Sequence, residues 1–537
     1  MKKILAGILV ICMVMGLAAC GGNDNPSNPT QSQDIVPGTQ PSVTSPSVDA
    51  AKTYKKHINI SLSGTISAVN PQVSSNNAAD TMYKMIYNQL VGFNYETGEL
   101  KPELAESWEK ESLSSYVFHL RKDVKFSNGE PFTSDDVKWT FEEYPSKTEE
   151  TLNSSIKNVT DKVEKIECPD DYTVRFVLKE NDADFLNRMY LQSQSIFNRE
   201  ACEADMKEGV RIGTNGWIVT EFIAADHISF KRFDDSWVWL DTGVCPTETV
   251  TMTVKAEAST RGIAVQTGED AATMGISLTD VAQMKNDPNV ETVVYNAENV
   301  YYFFFNMKDS PVAQDENVRM AVAYALNFDE LNAVMYNGLA SRTYTLWGKS
   351  QYGYFNDVEN KIDYNLEKAK EYMAKSNYPN GVQVKFVYHT ANQASVVAVI
   401  QQQLKAIGIE CEIIATDLTG MTTLFKADPI AYDMGYSGIS LQTIGDRFSF
   451  IGKDNNTTNR GKYVDADLQA KFAQARAEQD DAARKQIYKE IQQFLYDLKA
   501  YIPLYYAVES TVYHKGVSGV EWCPDSKFDF SHVMWEE

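Results

Sequence analysis

The sequence predicts a large α/β protein of at least two domains behind a secretory leader. Three observations carry that reading. Residues 382–388, 393–407 and 409–415 read strand, helix, strand, the order that builds parallel α/β layers. The chain has 537 residues, 43% hydrophobic, with 29 Tyr, 24 Phe and 8 Trp, more than a single core usually holds. Lys2 and Lys3 precede an almost wholly apolar run over 4–18, the charged head and short apolar core of a secretory signal. That run is shorter than the roughly twenty residues a bilayer crossing needs.

The apolar run ends at Leu17-Ala18-Ala19-Cys20, with Gly21 behind it. These residues resemble a bacterial lipobox. The resemblance implies a signal peptide over 1–19, cut before Cys20, with acyl chains on that cysteine. Two or three chains hold a protein on a bilayer where one is marginal. Residues 21–50 are mostly Gly, Asn, Ser, Thr, Pro, Gln and Asp, too polar to offset their ordering entropy. Residues 20–51 therefore read as a lipidated cysteine and flexible tether. The expected location is the outer face of the bacterial cytoplasmic membrane, lipid-anchored and extracellular.

The folded part begins near Lys56, where residues 57–62 alternate like a first strand. Residues 78–91 carry helix periodicity through Met82, Ile86 and Leu90, with Gly92 as the stop. Residues 115–120 alternate as a strand. A turn at Asn128-Gly129 follows, then a helix capped by Thr133 or Ser134, with Asp135 and Asp136 in its first turn. Residues 163–167 and 172–178 form a hairpin across Pro169-Asp170-Asp171. Residues 183–190 suit a short helix. After a loop at 211–217 come two strands, then a strand at 249–254, a helix at 256–268, and strands at 271–276, 290–294 and 301–306. Helices are predicted from Asp315 to Ala325, from Phe328 to Tyr336, at 365–374 and at 480–497. A last strand covers 501–506.

Formal net charge is -23, without a basic stripe, so nucleic acid is an unsuitable partner. Acidity supports solubility and is compatible with cationic ligands. The seven cysteines include no C-x-x-C pair, which removes zinc and redox-pair readings. One bridge within Cys168, Cys202 and Cys245 stays open. The catalytic signatures G-x-S-x-G, H-E-x-x-H and the P-loop are missing, and none of the six histidines is paired for metal on one helix. The expectation is a protein that is not an enzyme, without cofactor or metal.

Four stretches carry a family resemblance: 101–110 (KPELAESWEK), 116–139 (YVFHLRKDVKFSNGEPFTSDDVKW), 213–217 (GTNGW) and 305–331 (FNMKDSPVAQDENVRMAVAYALNFDEL). Residues 485–506 add a weaker match. Together they resemble the extracellular solute-binding proteins of family 5, which serve ABC importers of peptides, opines, nickel complexes and some sugars. The resemblance implies a two-lobed periplasmic-binding-protein-like clamp of type II, in the large form with an extra subdomain. Lobe one would cover 52–300 with that subdomain, lobe two 301–502, and 503–537 would return to lobe one. Hinge closure would enclose the solute, most readily an oligopeptide, and present the closed shape to a membrane permease. A monomer is expected. Trp108 reads as a core anchor, Arg121 as the partner of Asp123 or Asp136, and Arg319 as needing a fixed acidic partner.

Two stretches depart from the family's pattern. Its Gly-Thr-Gly-Pro loop is here Gly213-Thr214-Asn215-Gly216-Trp217. Peptide-binding members hold the α-ammonium with an aspartate in a Trp-x-x-Asp-Tyr-x-Asp-Pro context; residues 435–447 have neither that tryptophan nor an early carboxylate. A buried ammonium without a counter-charge is costly. The candidate solute contacts are Tyr436, Ser437, Gln442 and Asp446 in lobe two, with Trp347 as an aromatic wall, and Asn215 and Trp217 from lobe one. Asp446 is the carboxylate available to replace the family's aspartate. An oligosaccharide or other amine-free solute in the same cleft is the alternative, and a lipid-anchored hydrolase or adhesion protein is the rival from another class.

Overall fold

Ten runs, most of them rich in β-branched and aromatic residues, pair into one sheet that frames the molecule. In chain order they are β1 (His57–Leu62), β2 (Trp217–Ile223), β3 (His227–Arg232), β4 (Thr249–Val254), β5 (Ala272–Met274), β6 (Val290–Phe305), β7 (Val382–His389), β8 (Ile409–Thr416), β9 (Met434–Ile439) and β10 (Tyr501–His514). The computed structural model describes residues 48–49, 51–94, 97–240, 242–390, 394–439, 451, 459–523 and 527–537. Across the sheet the order is β8-β7-β9-β6-β10-β5-β1-β4-β3-β2.

β1 runs parallel to β4 and β5, and β7 runs parallel to β8 and β9. Parallel neighbours need long crossovers, and helices supply them. α1 (Asn77–Ile86) follows β1, α2 (Ala258–Gln266) joins β4 to β5, and α3 (Phe328–Tyr336) lies between β6 and β7. α4 (Ala394–Lys405) joins β7 to β8, α5 (Leu418–Lys426) joins β8 to β9, and α6 (Asp481–Leu498) leads into β10. Each parallel group with its helices is one lobe, so the chain is a two-lobed α/β protein.

β6 and β10 belong to both lobes. They run antiparallel over nearly their full lengths, from Val290 opposite His514 to Phe304 opposite Tyr501. At one end β10 pairs with β5, and at the other β6 pairs with β9. The sequence reads β6 as two strands, 290–294 and 301–306, and ends β10 at residue 506. The intervening residues Asn296, Glu298 and Asn299 on β6, and Glu509, Ser510 and Thr511 on β10, are polar and break the apolar pattern. The strands continue because each finds a backbone partner in the other.

The predicted helix at 78–91 ends at Ile86. Beyond it Leu90 and Val91 enter a second apolar cluster, and Gly92 lies in a strand, Val91–Asn94, paired with Glu99–Pro102. That cluster fills an extra subdomain whose antiparallel sheet joins Ala105–Ser112, Ser115–Leu120, Thr173–Leu178 and Val163–Asp170. Trp108 packs partly buried against it. The expected hairpin lies here, and so does the Asn128-Gly129 turn, where Gly129 takes φ 91°. Of the helix predicted over 183–190, one 3-10 turn forms, at Leu186–Arg188. Asp182 accepts the Asp184 N–H just before it, at 3.1 Å, and holds that stretch in a turn.

Arg121 meets Asp123 through two hydrogen bonds, at 2.7 and 3.0 Å. Arg319 is solved differently from the expectation. Its buried guanidinium donates to the carbonyls of Leu498, Ala313 and Gln314 at 2.8–3.0 Å and forms no ion pair among the described residues. Helix-end carbonyls take the place of a carboxylate. Cys168, Cys202 and Cys245 are all free thiols, so the disulfide left open among them is not formed. The Cys245 thiol donates to the Val533 carbonyl instead.

Candidate functional site

The directions of the strands define a crevice. β6 is antiparallel to β9, and β5 is antiparallel to β10. The two parallel groups therefore point at each other, with their C-terminal ends converging on the middle of β6 and β10. β9 ends at Ile439, opposite Val300, and β5 ends at Met274, opposite Thr511. In open α/β sheets, ligands gather outside such C-terminal ends. Between these limits the ladder slips: Asn296 pairs with Val508 and Val300 with Tyr506, so residues 297–299 face Ala507 alone. A bulge of this size concentrates bending and twist at one point.

The lobe-one rim is braced by a buried arginine. Arg261, on α2, donates at 2.7 Å to the carbonyls of Lys255, Ala256 and Gly275. It thus ties the exit of β4 to the exit of β5. Burial lowers its pKa, and the Glu257 charge only partly opposes that. Gly275 adopts φ 66°, a left-handed conformation that favours glycine, beside Ser63 and the Arg261 guanidinium. The loop after β1 is fixed by Asn76, which caps α1 at Ala79 N and donates to Thr65 O at 3.1 Å. Lys255 bridges Glu269 and the buried Asp270 at 2.9 and 2.7 Å, and Ser61 also donates to Asp270.

The lobe-two rim is built from aromatic rings. Tyr301 lies flat on Tyr436, ring centroids 5.6 Å apart at 17°, and covers Gly438, where a Cβ would come within 3.0 Å of the ring. Tyr436 and Tyr505 share a hydrogen bond of 2.6 Å. Arg460 donates to the Gly438 carbonyl and to the Tyr302 hydroxyl. Glu298, in the bulge, accepts from the Ser350 hydroxyl at 2.7 Å and so holds the 347–351 loop against the hinge.

The sequence-derived candidates fall in three places. Tyr436 and Ser437 stand at the crevice end of β9, both buried. Trp347 is 1% exposed within the apolar cluster beneath Tyr302 and Tyr506. Trp217 is fully buried in lobe one, its indole donating to Ser531 O at 2.8 Å. Asn215 lines a separate lobe-one cavity of about 380 Å³ with Lys84, Glu103, Tyr190, Trp237 and His532. Gln442 and Asp446 lie outside the described residues. Among the described residues no carboxylate, cysteine and histidine cluster could hold a metal ion, and no helix is long and apolar enough to cross a membrane. Sequence reasoning did not single out Arg261 or Glu298; one is a polar residue in a helical run and the other sits in a polar break between strand-like runs, a weak signal without the fold.

A profile described as bacterial extracellular solute-binding proteins, family 5 middle, matches residues 99–458. The chain belongs to this family. Membership sets aside the hydrolase and adhesion readings: a family 5 solute-binding protein is not an enzyme. Similar proteins span nearly the whole chain. The dipeptide-binding protein of Escherichia coli K12 is 26% identical over 530 residues, covering 91% of this chain and 96% of its own. Heme-binding protein A of Haemophilus influenzae is 25% identical, covering 79% and 82%. The solved structure of the ABC transporter substrate-binding protein CtaP from Listeria monocytogenes superposes with a TM-score of 0.81 at 21% identity, over 90% of this chain and 100% of its own. In this family 5 solute-binding protein residues 435–439 hold neither a tryptophan nor a carboxylate.

Proposed function

We propose that this protein is the solute receptor of an ABC import system, and that it captures short peptides in the crevice between its lobes. One observation carries the peptide reading: the near full-length similarity to a dipeptide-binding protein, 26% identical over 91% of the chain. The crevice supports it physically. The opposed strand ends mark where an extended chain would lie, and partly buried Tyr301, stacked on Tyr436, places an aromatic ring at that point. Ser437 at the end of β9, with Gln442 and Asp446 just beyond, are the contacts we assign to lobe two. In this reading acylated Cys20 holds the receptor on the outer face of the membrane, where the closed form delivers its solute to the permease.

The lack of a carboxylate over residues 435–439 favours a second reading, a solute without a free amine. Thermal shift separates the two. The mature chain, unfolded and refolded to remove carried solute, is heated with pools of peptides and of oligosaccharides. Ligand at roughly a hundred times Kd adds about 2.7 kcal/mol, which for a chain of this size raises the midpoint by about 3 °C. A shift with peptides alone supports the first reading. A shift with glycans alone replaces it, and no shift with either overturns the receptor assignment. The tether is tested separately: Cys20→Ala should move the protein from the membrane fraction to the medium.

A further inference from the structure

β10 carries one polar intrusion with no structural use. From Tyr501 to Val512 every position is buried except Glu509, which is partly open. Glu509 sits at the hinge, three residues from the bulge register at Tyr506, and faces Tyr295 across the ladder. It forms no hydrogen bond or ion pair among the described residues. Burial alone lifts its carboxyl to about 7. Such a group destabilises the free protein whenever it is ionised, and a partner that ionises it recovers that cost.

Its surroundings are aromatic. Burial raises the phenols of Tyr301 and Tyr336, and the charge of Glu509 adds to both shifts. Tyr336, from α3, stands edge-on to Tyr505, centroids 5.6 Å apart at 90°, and Phe328 and Tyr301 close the group. Farther along the same face of β6 and β10 lie Glu291 and Tyr513. Arg342 is committed elsewhere: it lies over Phe328 and Tyr344 and donates to Leu504 O. A carboxylate beside aromatic residues, partly open to solvent and lacking a cation among the described residues, is the chemistry of an ammonium site.

We propose that Glu509, with the faces of Tyr301 and Tyr336, receives a cationic amine of the bound solute at the hinge. This rests on the peptide reading, and it supplies the counter-charge that residues 435–439 lack. It also makes capture pH-dependent, because only the carboxylate attracts an ammonium. Affinity should fall as pH drops from 8 to 6.

The test uses the full mature chain and two probes: a pool of di- to pentapeptides with free amino termini, and the same pool N-acetylated. Wild type should bind the free pool about tenfold more tightly, and lose that preference at pH 6. Glu509→Gln should lose the preference at pH 8 and show a flat pH profile, while keeping wild-type affinity for acetylated peptides. A variant that retains the full preference for free amines overturns the proposal and leaves the peptide reading standing. Should Glu509→Gln fail to fold, the wild-type arms decide: equal affinity for both pools, or no pH dependence, overturns it. If neither pool binds, the peptide reading fails and this proposal falls with it.

Discussion

Arg261 shows how much one side chain can hold. Its guanidinium donates to three carbonyls just beyond the ends of two strands. Arg261→Met keeps the aliphatic stem and removes all three bonds. Stability should fall by about 2–4 kcal/mol in urea unfolding, with solute affinity falling alongside as the rim loosens. Gly213 is as demanding for a steric reason: a Cβ there would lie 2.0 Å from the Ile86 carbonyl oxygen. Gly213→Ala should therefore destabilise by at least about 2 kcal/mol, read as a lower urea midpoint. At this scale the sequence was legible where partners are local. Arg121 with Asp123 and the Asn128-Gly129 turn depend on near neighbours and could be read directly. Arg319 could not, because its acceptors include Leu498, far along the chain. Glu509 was missed because the apolar pattern had been followed only to residue 506.

Elements defined by their own periodicity were read almost to the residue. The helix expected at 393–407 is Ala394–Lys405, and the one expected at 328–336 is Phe328–Tyr336. Besides the helices expected at 183–190 and 78–91, the elements read too short were the two strands that cross between lobes, since polar residues in a strand look like a loop until a partner strand is known. A prediction belongs to the contact between the extra subdomain and α6. Tyr488 donates to Asp184 at 2.7 Å, Arg484 donates to the Ala183 carbonyl, and the Ala183 N–H reaches Arg476 O. Burial raises the Asp184 carboxyl although Arg188 opposes it. Nearby Asp182 is also desolvated, yet Arg188 and Lys162 pull it below the usual carboxylate range. Asp182 thus stabilises the fold above the ordinary aspartate range, and that contribution disappears as pH falls through its depressed value. Tyr488→Phe should cost about 1–2 kcal/mol by leaving Asp184 without its donor. Urea midpoints at pH 7 would check it, and an unchanged midpoint would show the contact to be incidental.

For the whole molecule, the two-lobed fold followed from the resemblance, while the single sheet running through both lobes did not. That sheet puts the proposed solute site on the two strands that join the lobes, so in this reading occupancy and bending act on the same residues. Solute should reduce the radius of gyration seen by small-angle scattering, and Glu509→Gln should blunt the change for free peptides only. One consequence reaches beyond mechanics. The chain leaves for the second lobe along β6 and returns along β10, and Val300 and Tyr506 lie side by side on that doorway. A segment whose entrance and exit are adjacent can be exchanged by recombination without rethreading the remainder. Solute preference carried on it could then pass between lineages while the first lobe is inherited unchanged.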